Sequence, residues 1–333
     1  MLKLGVVGYG YWGPNIVRNF HHGPQSRVTM VCDQSASKLE RVKRAYPEIT
    51  TTTNAAEVTQ SPDVDAVAVV TPVWTHYELG KQALQNNKHL FIEKPFTCNV
   101  DQADELIELA EKKNRVIMVD HTFLYTGAVK KIRQFIDDGT LGKLYYYDST
   151  RVNLGLFQHD INVLWDLAPH DLSIMDYLID CKAEAISATG QKHLNGHEDV
   201  AYMTVYFPNK VIAHINVNWL SPVKVRTTLI GGENKMLVWN DLEADEKIRL
   251  YDKGVNIQNS SNVYDLLVSY RSGDMWAPQV ERIEALEAEA THFVDCVYND
   301  KKPANDGHAG RRVVQMLQAS SQSVQNRGEA VAL

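Results

Sequence analysis

Cysteine is scarce in this chain, which has four in 333 residues and no C-x-x-C pair. This scarcity excludes a disulfide-stapled secreted scaffold and predicts free thiols in a reducing cytoplasm. The chain also lacks an apolar run long enough to span a membrane. Its first predicted strand starts at Leu2, so we expect no signal peptide and a cytoplasmic location. The cysteines are Cys32, Cys98, Cys181 and Cys296.

Excess positive charge is missing as well. The chain has 34 Lys and Arg against 41 Asp and Glu, a net charge of −7, and no long basic run. Nucleic acid is therefore not expected as a partner. The hydrophobic fraction of 44% is typical of a globular protein, and a chain of this length predicts two domains.

Tight metal-ligand spacing is absent. Three segments place an acidic residue beside a histidine, but none of them contains cysteine. We therefore expect no metal, and we find neither a Gly-x-Ser-x-Gly motif nor a catalytic-cysteine arrangement. The three segments are His159-Asp160, His170-Asp171 and His197-Glu198-Asp199.

A glycine-rich turn near the start of the chain predicts a dinucleotide site. The apolar run 2–7 reads as a buried strand, and residues 14–20 read as a helix. Gly8 permits the turn between them, Gly10 lets a pyrophosphate approach the backbone, and Gly13 lets the helix pack against the strand. The helix N-terminus then offers N–H groups to the phosphates. The alternative is a merely structural turn, which the strand–turn–helix context disfavours.

Asp33 indicates which dinucleotide binds. It ends the next apolar strand, Val28 to Cys32, twenty residues after Gly13. A carboxylate there can accept both hydrogen bonds from the adenine ribose and would repel a 2′-phosphate. No Arg follows directly, so we expect NAD rather than NADP as cofactor.

Strands and helices then alternate to about residue 120. This spacing is typical of a parallel sheet with helices on both sides, so residues 1–122 are predicted to form a Rossmann dinucleotide-binding domain. Asn99 is expected to cap the helix that starts at Val100. Ligand-binding groups should collect at the carboxyl ends of the strands. The candidates there are Asp33, Thr71, Glu93 and Lys94.

Residues 123–333 predict an α+β domain with a large, mainly antiparallel open sheet. Apolar strands separated by short turns run from 183 to 239, and two helices follow. Another helix is predicted over 169–178, with Pro169 in its first turn. The strand 211–219 alternates apolar and polar residues, so one face of the sheet is free to meet solvent or a second copy of the chain. A homo-oligomer through this sheet is our expectation.

Two places could carry catalysis. Lys94 ends a buried strand where a nicotinamide would lie, and its cation could stabilise a developing alkoxide. Asp166 and His170 are one helical turn apart, so the carboxylate could orient a neutral imidazole as general base. The alternatives are a solvated lysine and a structural hydrogen bond, and the residues alone leave both open.

The chain resembles the Gfo/Idh/MocA oxidoreductases over nearly its whole length. The matching motifs are Gly8-Tyr9-Gly10-Tyr11-Trp12-Gly13, Val70-Thr71-Pro72 with His76, Glu93-Lys94-Pro95, and Asp166-x-x-x-His170. In that family the lysine and the Asp/His pair converge on a substrate carbon beside the nicotinamide. The resemblance implies that His170 is the general base, that Lys94 polarises the oxygen, and that Asp166 orients His170 or binds a neighbouring hydroxyl.

The same resemblance implies the cofactor contacts. Thr71, His76 and Glu93 would line the nicotinamide half of the site. The full expected set is Gly8, Gly10, Tyr11, Trp12, Gly13, Asp33, Thr71, Pro72, His76, Glu93 and Lys94.

The segments around Trp12, Trp165 and Trp219 look like the branch of the family that acts on nucleotide-activated sugars. We therefore predict an NAD-dependent dehydrogenase of a ring hydroxyl, of the 3-dehydrogenase type, with Arg151 available for phosphate. One alternative is dehydrogenation of a free polyol or inositol, with Asn153, Asn162 or Tyr125 as hydroxyl partners. Another is a non-catalytic NAD-sensing regulator. A regulator would not need Lys94, Asp166 and His170 together.

Overall fold

The computed structural model describes residues 1–155, 161–194, 196–259 and 266–333. His159 and Asp160 lie outside these ranges, so their predicted lack of a metal is not addressed. The chain divides into two compact units. Unit 1 is Met1–Tyr125 with Ile283–Gln318, and unit 2 is Thr126–Arg282 with Ala319–Leu333. None of the described helices combines the length and apolar character that a membrane crossing requires.

Unit 1 is built on a parallel sheet with strand order β3-β2-β1-β4-β5-β6 in the described residues. Its strands are β1 (Leu2–Val7), β2 (Ser26–Cys32), β3 (Thr50–Thr52), β4 (Ala66–Val69), β5 (His89–Glu93) and β6 (Ile117–Asp120). Its helices are α1 (Gly13–His22), α2 (Ala36–Ala45), α3 (Ala55–Gln60), α4 (His76–Gln85) and α5 (Val100–Lys113), and α8 (Ala285–Asn299) joins them from late in the chain. The predicted Rossmann topology is confirmed.

Local sequence explains where these elements begin. The side chain of Asn99 accepts a hydrogen bond from the N–H of Gln102 at 2.9 Å, which caps α5 as predicted. Strand β4 is wholly apolar and β6 is apolar up to Asp120, and both are fully buried, because helices cover both faces of a parallel sheet. The core includes three rings packed edge to face: Phe20 of α1, Phe91 of β5 and Phe293 of α8, with centroids 5.2–5.9 Å apart.

Unit 2 is built on a mixed, mainly antiparallel sheet with strand order β14-β13-β12-β11-β7-β10-β9-β8-β15 in the described residues. Its strands are β7 (Leu144–Leu154), β8 (Ala185–Gln191), β9 (Val200–Tyr206), β10 (Ile212–Asn218), β11 (Leu220–Gly232), β12 (Met236–Asn240), β13 (Ile248–Asn259), β14 (Leu266–Trp276) and β15 (Val331–Ala332). Its helices are α6 (Gly127–Asp137) and α7 (Val163–Leu178). The last helix, α9 (Gly307–Gln325), contributes residues to both units.

Helix α7 covers one face of this sheet. Alternate residues of β10, namely Ala213, Ile215 and Val217, are buried on that face. The residues between them point to the other face, where Ile212 is exposed and pairs with exposed Tyr206 of β9. The predicted alternation is thus present, and contact with a second copy through the outer face stays a prediction.

The fold class is confirmed, but several boundaries differ from those predicted. The segment Ile283–Gln318 belongs to unit 1 rather than to the second domain, because Leu286, Ala290 and Phe293 pack into the core around the first sheet. Helix α7 starts at Val163, capped by Asn162, so Pro169 lies inside the helix and not in its first turn. The elements that we did not predict are β3, α3, β13, β14 and β15.

Candidate functional site

The carboxyl edge of the first sheet collects the predicted cofactor residues. Strands β2 and β4 lie on opposite sides of β1 within the sheet, so the strand order reverses between β1 and β4. Ligands of such sheets bind outside the carboxyl ends of the strands at this reversal. Gly8 follows β1, Thr71 follows β4 and Lys94 follows β5.

The three glycines of the turn have different surroundings. Gly8 has φ +105°, and a Cβ there would lie 2.3 Å from the carbonyl oxygen of Val70. A Cβ on Gly13 would lie 2.6 Å from the carbonyl oxygen of Gly8. A Cβ on Gly10 would meet nothing within 4 Å among the described residues. Two glycines are thus required by packing, and the third leaves open space that fits a pyrophosphate.

The N-terminus of α1 also fits an anion. Its N-cap residue is Trp12, and no side chain of the described residues caps the helix or places a carboxylate in its first turn. Within that turn Pro14 carries no N–H, and the N–H groups of Asn15 and Ile16 donate to the carbonyl oxygen of Trp12 at 2.9 and 3.3 Å. The end of the helix therefore attracts phosphate oxygens chiefly through its positive dipole. The indole of Trp12 instead donates a hydrogen bond to Asp120 Oδ2 at 3.1 Å. Neighbouring Tyr11 is 89% exposed.

Asp33 is held firmly at the end of β2. Its carboxylate accepts hydrogen bonds from the N–H of Tyr9 at 2.8 Å and from the N–H of Ser35 at 2.9 Å. Lys38 Nζ lies 3.3 Å from Asp33 Oδ2. The carboxylate is therefore oriented before any ribose arrives, and Lys38 is a neighbour that we did not predict.

His76 contacts the backbone of two loops at the carboxyl ends of β4 and β5. Nε2 of its ring lies 2.7 Å from the carbonyl oxygen of Thr71, and Nδ1 lies 2.9 Å from the carbonyl oxygen of Pro95. In the neutral ring one of these two nitrogens carries the proton and donates it to the carbonyl that it faces. Burial lowers the pKa of His76 and favours this neutral form. His76 is buried and holds the backbone at Thr71 and Pro95, and its predicted contact with the cofactor stays a prediction. Pro72 is exposed, and the hydroxyls of Thr71 and Thr75 are 2.6 Å apart.

Buried carboxyl groups lie close to Asp120, which ends β6. Burial and the nearby Asp120 raise the pKa of Glu93 well above its usual value. They do the same for Glu289 of α8, whose Oε1 accepts a hydrogen bond from Asn305 at 2.7 Å. Glu93 and Glu289 are thus favoured in their protonated, neutral forms. Glu93 Oε2 also accepts a hydrogen bond from the backbone N–H of Lys94 at 3.0 Å, which fixes the backbone at that residue.

The second group of predicted catalytic residues lies on α7. Asp166 and His170 are four residues apart in this helix, so their side chains share a face. Trp219, which is buried, donates its indole N–H to Asp166 Oδ2 at 3.2 Å. His170 is in the middle of α7 and not near its N-terminus, so the predicted effect of the helix dipole on its charge does not apply.

Three predicted substrate residues are engaged elsewhere. Arg151 is 5% exposed, and its Nε donates to Asp171 Oδ2 at 2.5 Å, so it is not presented to a phosphate. Tyr125 is buried and donates its hydroxyl to Asn305 Oδ1 at 2.7 Å. The side chain of Asn162 caps α7 by accepting a hydrogen bond from the N–H of Trp165. Asn153, the remaining predicted hydroxyl partner, is half-buried and lies close to the end of β7.

The prediction missed Asp120 and His121 at the end of β6. Strand β6 lies within the predicted alternation of strands and helices up to about residue 120, and the rule that selected Glu93 and Lys94 applies equally to the end of this strand. The sequence around Glu289 does not indicate a place in unit 1, because this residue belongs to a distant part of the chain that joins the unit. The described residues contain no group of three or more potential metal ligands.

Comparisons with known proteins identify the family of both parts of the chain. Residues 2–121 match the family model described as "Oxidoreductase family, NAD-binding Rossmann fold", and residues 129–238 match the Gfo/Idh/MocA C-terminal domain. The chain is 25% identical to scyllo-inositol 2-dehydrogenase (NAD(+)) of Bacillus subtilis, over 91% of this chain and 86% of that protein. It is 26% identical to UDP-N-acetylglucosamine 3-dehydrogenase of Acidithiobacillus ferrooxidans, over 94% of each. A structure of the latter matches with a TM-score of 0.82 at 23% identity, covering 98% of both chains.

Proposed function

This chain belongs to the Gfo/Idh/MocA family, and on that premise we propose that it oxidises a ring hydroxyl of a nucleotide-linked hexose, or catalyses the reverse reduction. It is an NAD-dependent oxidoreductase that acts on CH–OH groups, and its relatives include sugar and polyol dehydrogenases. The observation that carries the catalytic proposal is the Asp166–His170 pair on one face of α7, with Asp166 fixed by Trp219.

The proposed chemistry divides between three side chains. Bound NAD would supply the acceptor for the hydride of the substrate carbon. The hydroxyl proton goes to His170, which acts as general base and returns the proton in the reverse direction. Lys94 stabilises the negative charge that develops on the oxygen. Asp166 orients the imidazole of His170 or binds a neighbouring hydroxyl.

The proposed cofactor contacts follow from the carboxyl edge of the first sheet. The open space at Gly10 and the uncapped first turn of α1 support binding of the pyrophosphate there. The oriented carboxylate of Asp33 supports binding of the adenine ribose. Thr71 and Lys94 are proposed at the nicotinamide half, and His76 acts through the backbone that it holds.

The proposed substrate class rests on likeness to the UDP-N-acetylglucosamine 3-dehydrogenase, which matches along 94% of this chain. A nucleotide diphosphate needs cations or N–H donors. Lys224 of β11 is exposed and is proposed for that role, whereas Arg151 is buried against Asp171. Oxidation at C3 of the hexose is the position that we propose.

A free polyol such as an inositol is the second candidate, and a specific observation favours it. Two cations that could have bound phosphate face carboxylates inside unit 2: Arg151 faces Asp171, and Arg226 Nη1 lies 3.4 Å from Asp241 Oδ2. The scyllo-inositol dehydrogenase is about as similar to this chain as the nucleotide-sugar enzyme is.

A substrate panel distinguishes these candidates. UDP-, dTDP- and GDP-hexoses, free hexoses and inositols are each incubated with the protein and NAD, and NADH formation is followed by absorbance. Turnover of a nucleotide-linked hexose, with NMR placing the new keto group at C3, is the expected result. If inositols are oxidised efficiently and every nucleotide sugar is inert, the nucleotide-sugar proposal is wrong. The His170→Ala variant controls for contaminating dehydrogenases.

A further inference from the structure

A cavity of about 270 Å³ lies in unit 1, at the edge of the first sheet opposite to the predicted cofactor residues. Its walls are the end of α5, the loop that leads into β6, and the segment between α8 and α9. The volume is just below the range of about 300–1,000 Å³ that holds drug-sized ligands, so a molecule of one or two rings fits it. The proposed reaction uses none of the residues in these walls. The apolar part of the wall consists of Ile107, Ala110, Val116, Ile117 and Pro303.

Arg115 is a half-buried cation in the wall of this cavity. Its Nε donates a hydrogen bond to the carbonyl oxygen of Lys113 at 3.1 Å, and its Nη1 lies 3.0 Å from Nε2 of His89. It forms no ion pair with a carboxylate among the described residues. A guanidinium that is oriented in this way but lacks a carboxylate is suited to bind an anion.

The contact with His89 does not satisfy Arg115. The backbone N–H of Val116 donates to the same ring, at 3.1 Å from Nδ1. Burial and the neighbouring Arg115 lower the pKa of His89 to about 4, so the ring is neutral and accepts at one nitrogen only. One of the two donors therefore lacks an acceptor. The guanidinium of Arg115 can rotate toward another acceptor, whereas the N–H of Val116 is fixed in the backbone.

Most other charged side chains of the wall already have partners in the chain. They are Lys301 with Asp295, Glu111 with His308, and Asp306 with the N–H of Ala309. Lys302 and Asp300 are exposed, and their side chains form no ion pair or hydrogen bond among the described residues. The formal charges of the whole wall balance, so the two unpaired cations, Arg115 and Lys302, are the groups that would select an anionic ligand.

We propose that this cavity binds a small apolar carboxylate, with its rings against Ile117 and Pro303 and its carboxylate on Arg115 and Lys302. A guanidinium binds a carboxylate through two parallel hydrogen bonds, and the ammonium of Lys302 adds a flexible point charge. The cavity and the dinucleotide turn are at opposite edges of the sheet, so this ligand is neither the cofactor nor the substrate of the proposed reaction. The proposal is independent of the proposed function.

The test compares 2-naphthoate with its neutral analogue 2-naphthalenemethanol. Dissociation constants of both are measured by calorimetry on the full chain, saturated with NAD so that the cofactor site is occupied. We expect the wild type to bind 2-naphthoate about tenfold more tightly than the alcohol. Arg115→Met keeps an apolar chain but removes the charge, and it should lower the 2-naphthoate affinity about tenfold while the alcohol binds as before.

Exposed positions supply further variants and the control. Lys302→Met should fold even if Arg115→Met does not, and we expect a loss of about two- to fivefold for 2-naphthoate. Asp300→Asn removes a repelling carboxylate and should strengthen binding. Lys112→Met, at an exposed cation of α5 outside the cavity wall, should change neither affinity. If 2-naphthoate does not bind at millimolar concentration, if the alcohol binds equally well, or if the Arg115 and Lys302 variants behave like Lys112→Met, the proposal is wrong.

Discussion

In each unit, single predicted site residues depend on neighbours that are not expected to touch the ligand. The ring of His76 contacts the backbone carbonyls of Thr71 and Pro95 at hydrogen-bond distance, and the indole of Trp219 donates a hydrogen bond to Asp166. Such supporting contacts fix the rotamers and backbone of the groups that act, and their loss often weakens activity as much as loss of a direct contact.

The catalytic roles of Lys94 and His170 can be separated from cofactor binding. Lys94→Ala and His170→Ala should each lower turnover by about 10²–10⁴, because both are proposed to act on the substrate hydroxyl. NADH affinity, measured by fluorescence titration, should stay close to wild type in His170→Ala. The wild-type oxidation rate should rise with pH as His170 loses its proton, and this rise should vanish in His170→Ala. Undiminished turnover in that variant would place the base elsewhere.

At the residue scale, sequence predicted groups by their type and position but not by what already binds them. Gly8 and Asp33 stand where the motif requires them, because the backbone turn leaves little freedom there. Arg151, Tyr125 and Asn162 were equally plausible as substrate ligands by type. Arg151 and Tyr125 are bound to Asp171 and Asn305, 20 and 180 residues away in the chain, so no local pattern indicates these pairings. Asn162 caps α7 through the N–H of Trp165, and the local rule that identified the cap at Asn99 applies to it as well.

At the scale of elements, helix α7 combines two roles. One face carries Asp166 and His170, and the next residue, Asp171, is buried toward the sheet. Asp171 accepts hydrogen bonds from Ser149 at 2.6 Å and from Arg151, both on β7. This buried ion pair ties the helix to the strand and thereby sets the position from which His170 projects.

Breaking the ion pair between Arg151 and Asp171 should lower the free energy of unfolding. Asp171→Ala leaves the guanidinium of Arg151 buried without its carboxylate, and we expect a loss of about 3–5 kcal/mol in the free energy of unfolding, measured with urea. The double variant Arg151→Met/Asp171→Leu should lose much less. Asp63→Ala, which removes an exposed partner of Lys3, is the control and should cost below about 1 kcal/mol. An Asp171→Ala cost no larger than that of the control would contradict this assignment.

Sequence predicted elements well where one local rule dominates. The cap at Asn99 and the apolar strands of unit 1 are such cases. Pro169 misled the prediction of α7, because proline usually occupies the first turn of a helix. Here the cap at Asn162 starts the helix earlier, and the chain tolerates the missing N–H of Pro169 within it. Strands β13 and β14 were not predicted, since we read no strand pattern beyond residue 239.

At the scale of the whole molecule, the buried carboxyl groups of unit 1 couple stability to pH. Burial and the neighbouring Asp120 raise the pKa of Glu289, whereas the same carboxyl ionises normally in the unfolded chain. The folded state therefore holds a proton that the unfolded state releases above pH of about 4.3. The stability from this group is full below that pH and is lost as the pH rises through the folded pKa.

Glu289→Gln removes this dependence. The variant should match wild type near pH 4 and become more stable than wild type as the pH rises, by about 1.4 kcal/mol per pH unit up to the folded pKa. Thermal and urea unfolding at pH 4.5, 6 and 8 would measure the difference. Glu287→Gln, at an exposed position of the same helix, controls for loss of a charge. Stability curves of Glu289→Gln and wild type that stay parallel across this range would show that the carboxyl is ionised in the folded protein.

The division of unit 1 between the two ends of the chain has a consequence for biosynthesis. A nascent chain that has not yet reached Ile283 lacks α8, and therefore lacks Phe293, which packs against Phe20 and Phe91. The part of unit 1 that is translated first is thus completed only after the segment Ile283–Gln318 has emerged from the ribosome. Until then its aromatic surface stays uncovered, which is the kind of surface that chaperones recognise and that promotes aggregation.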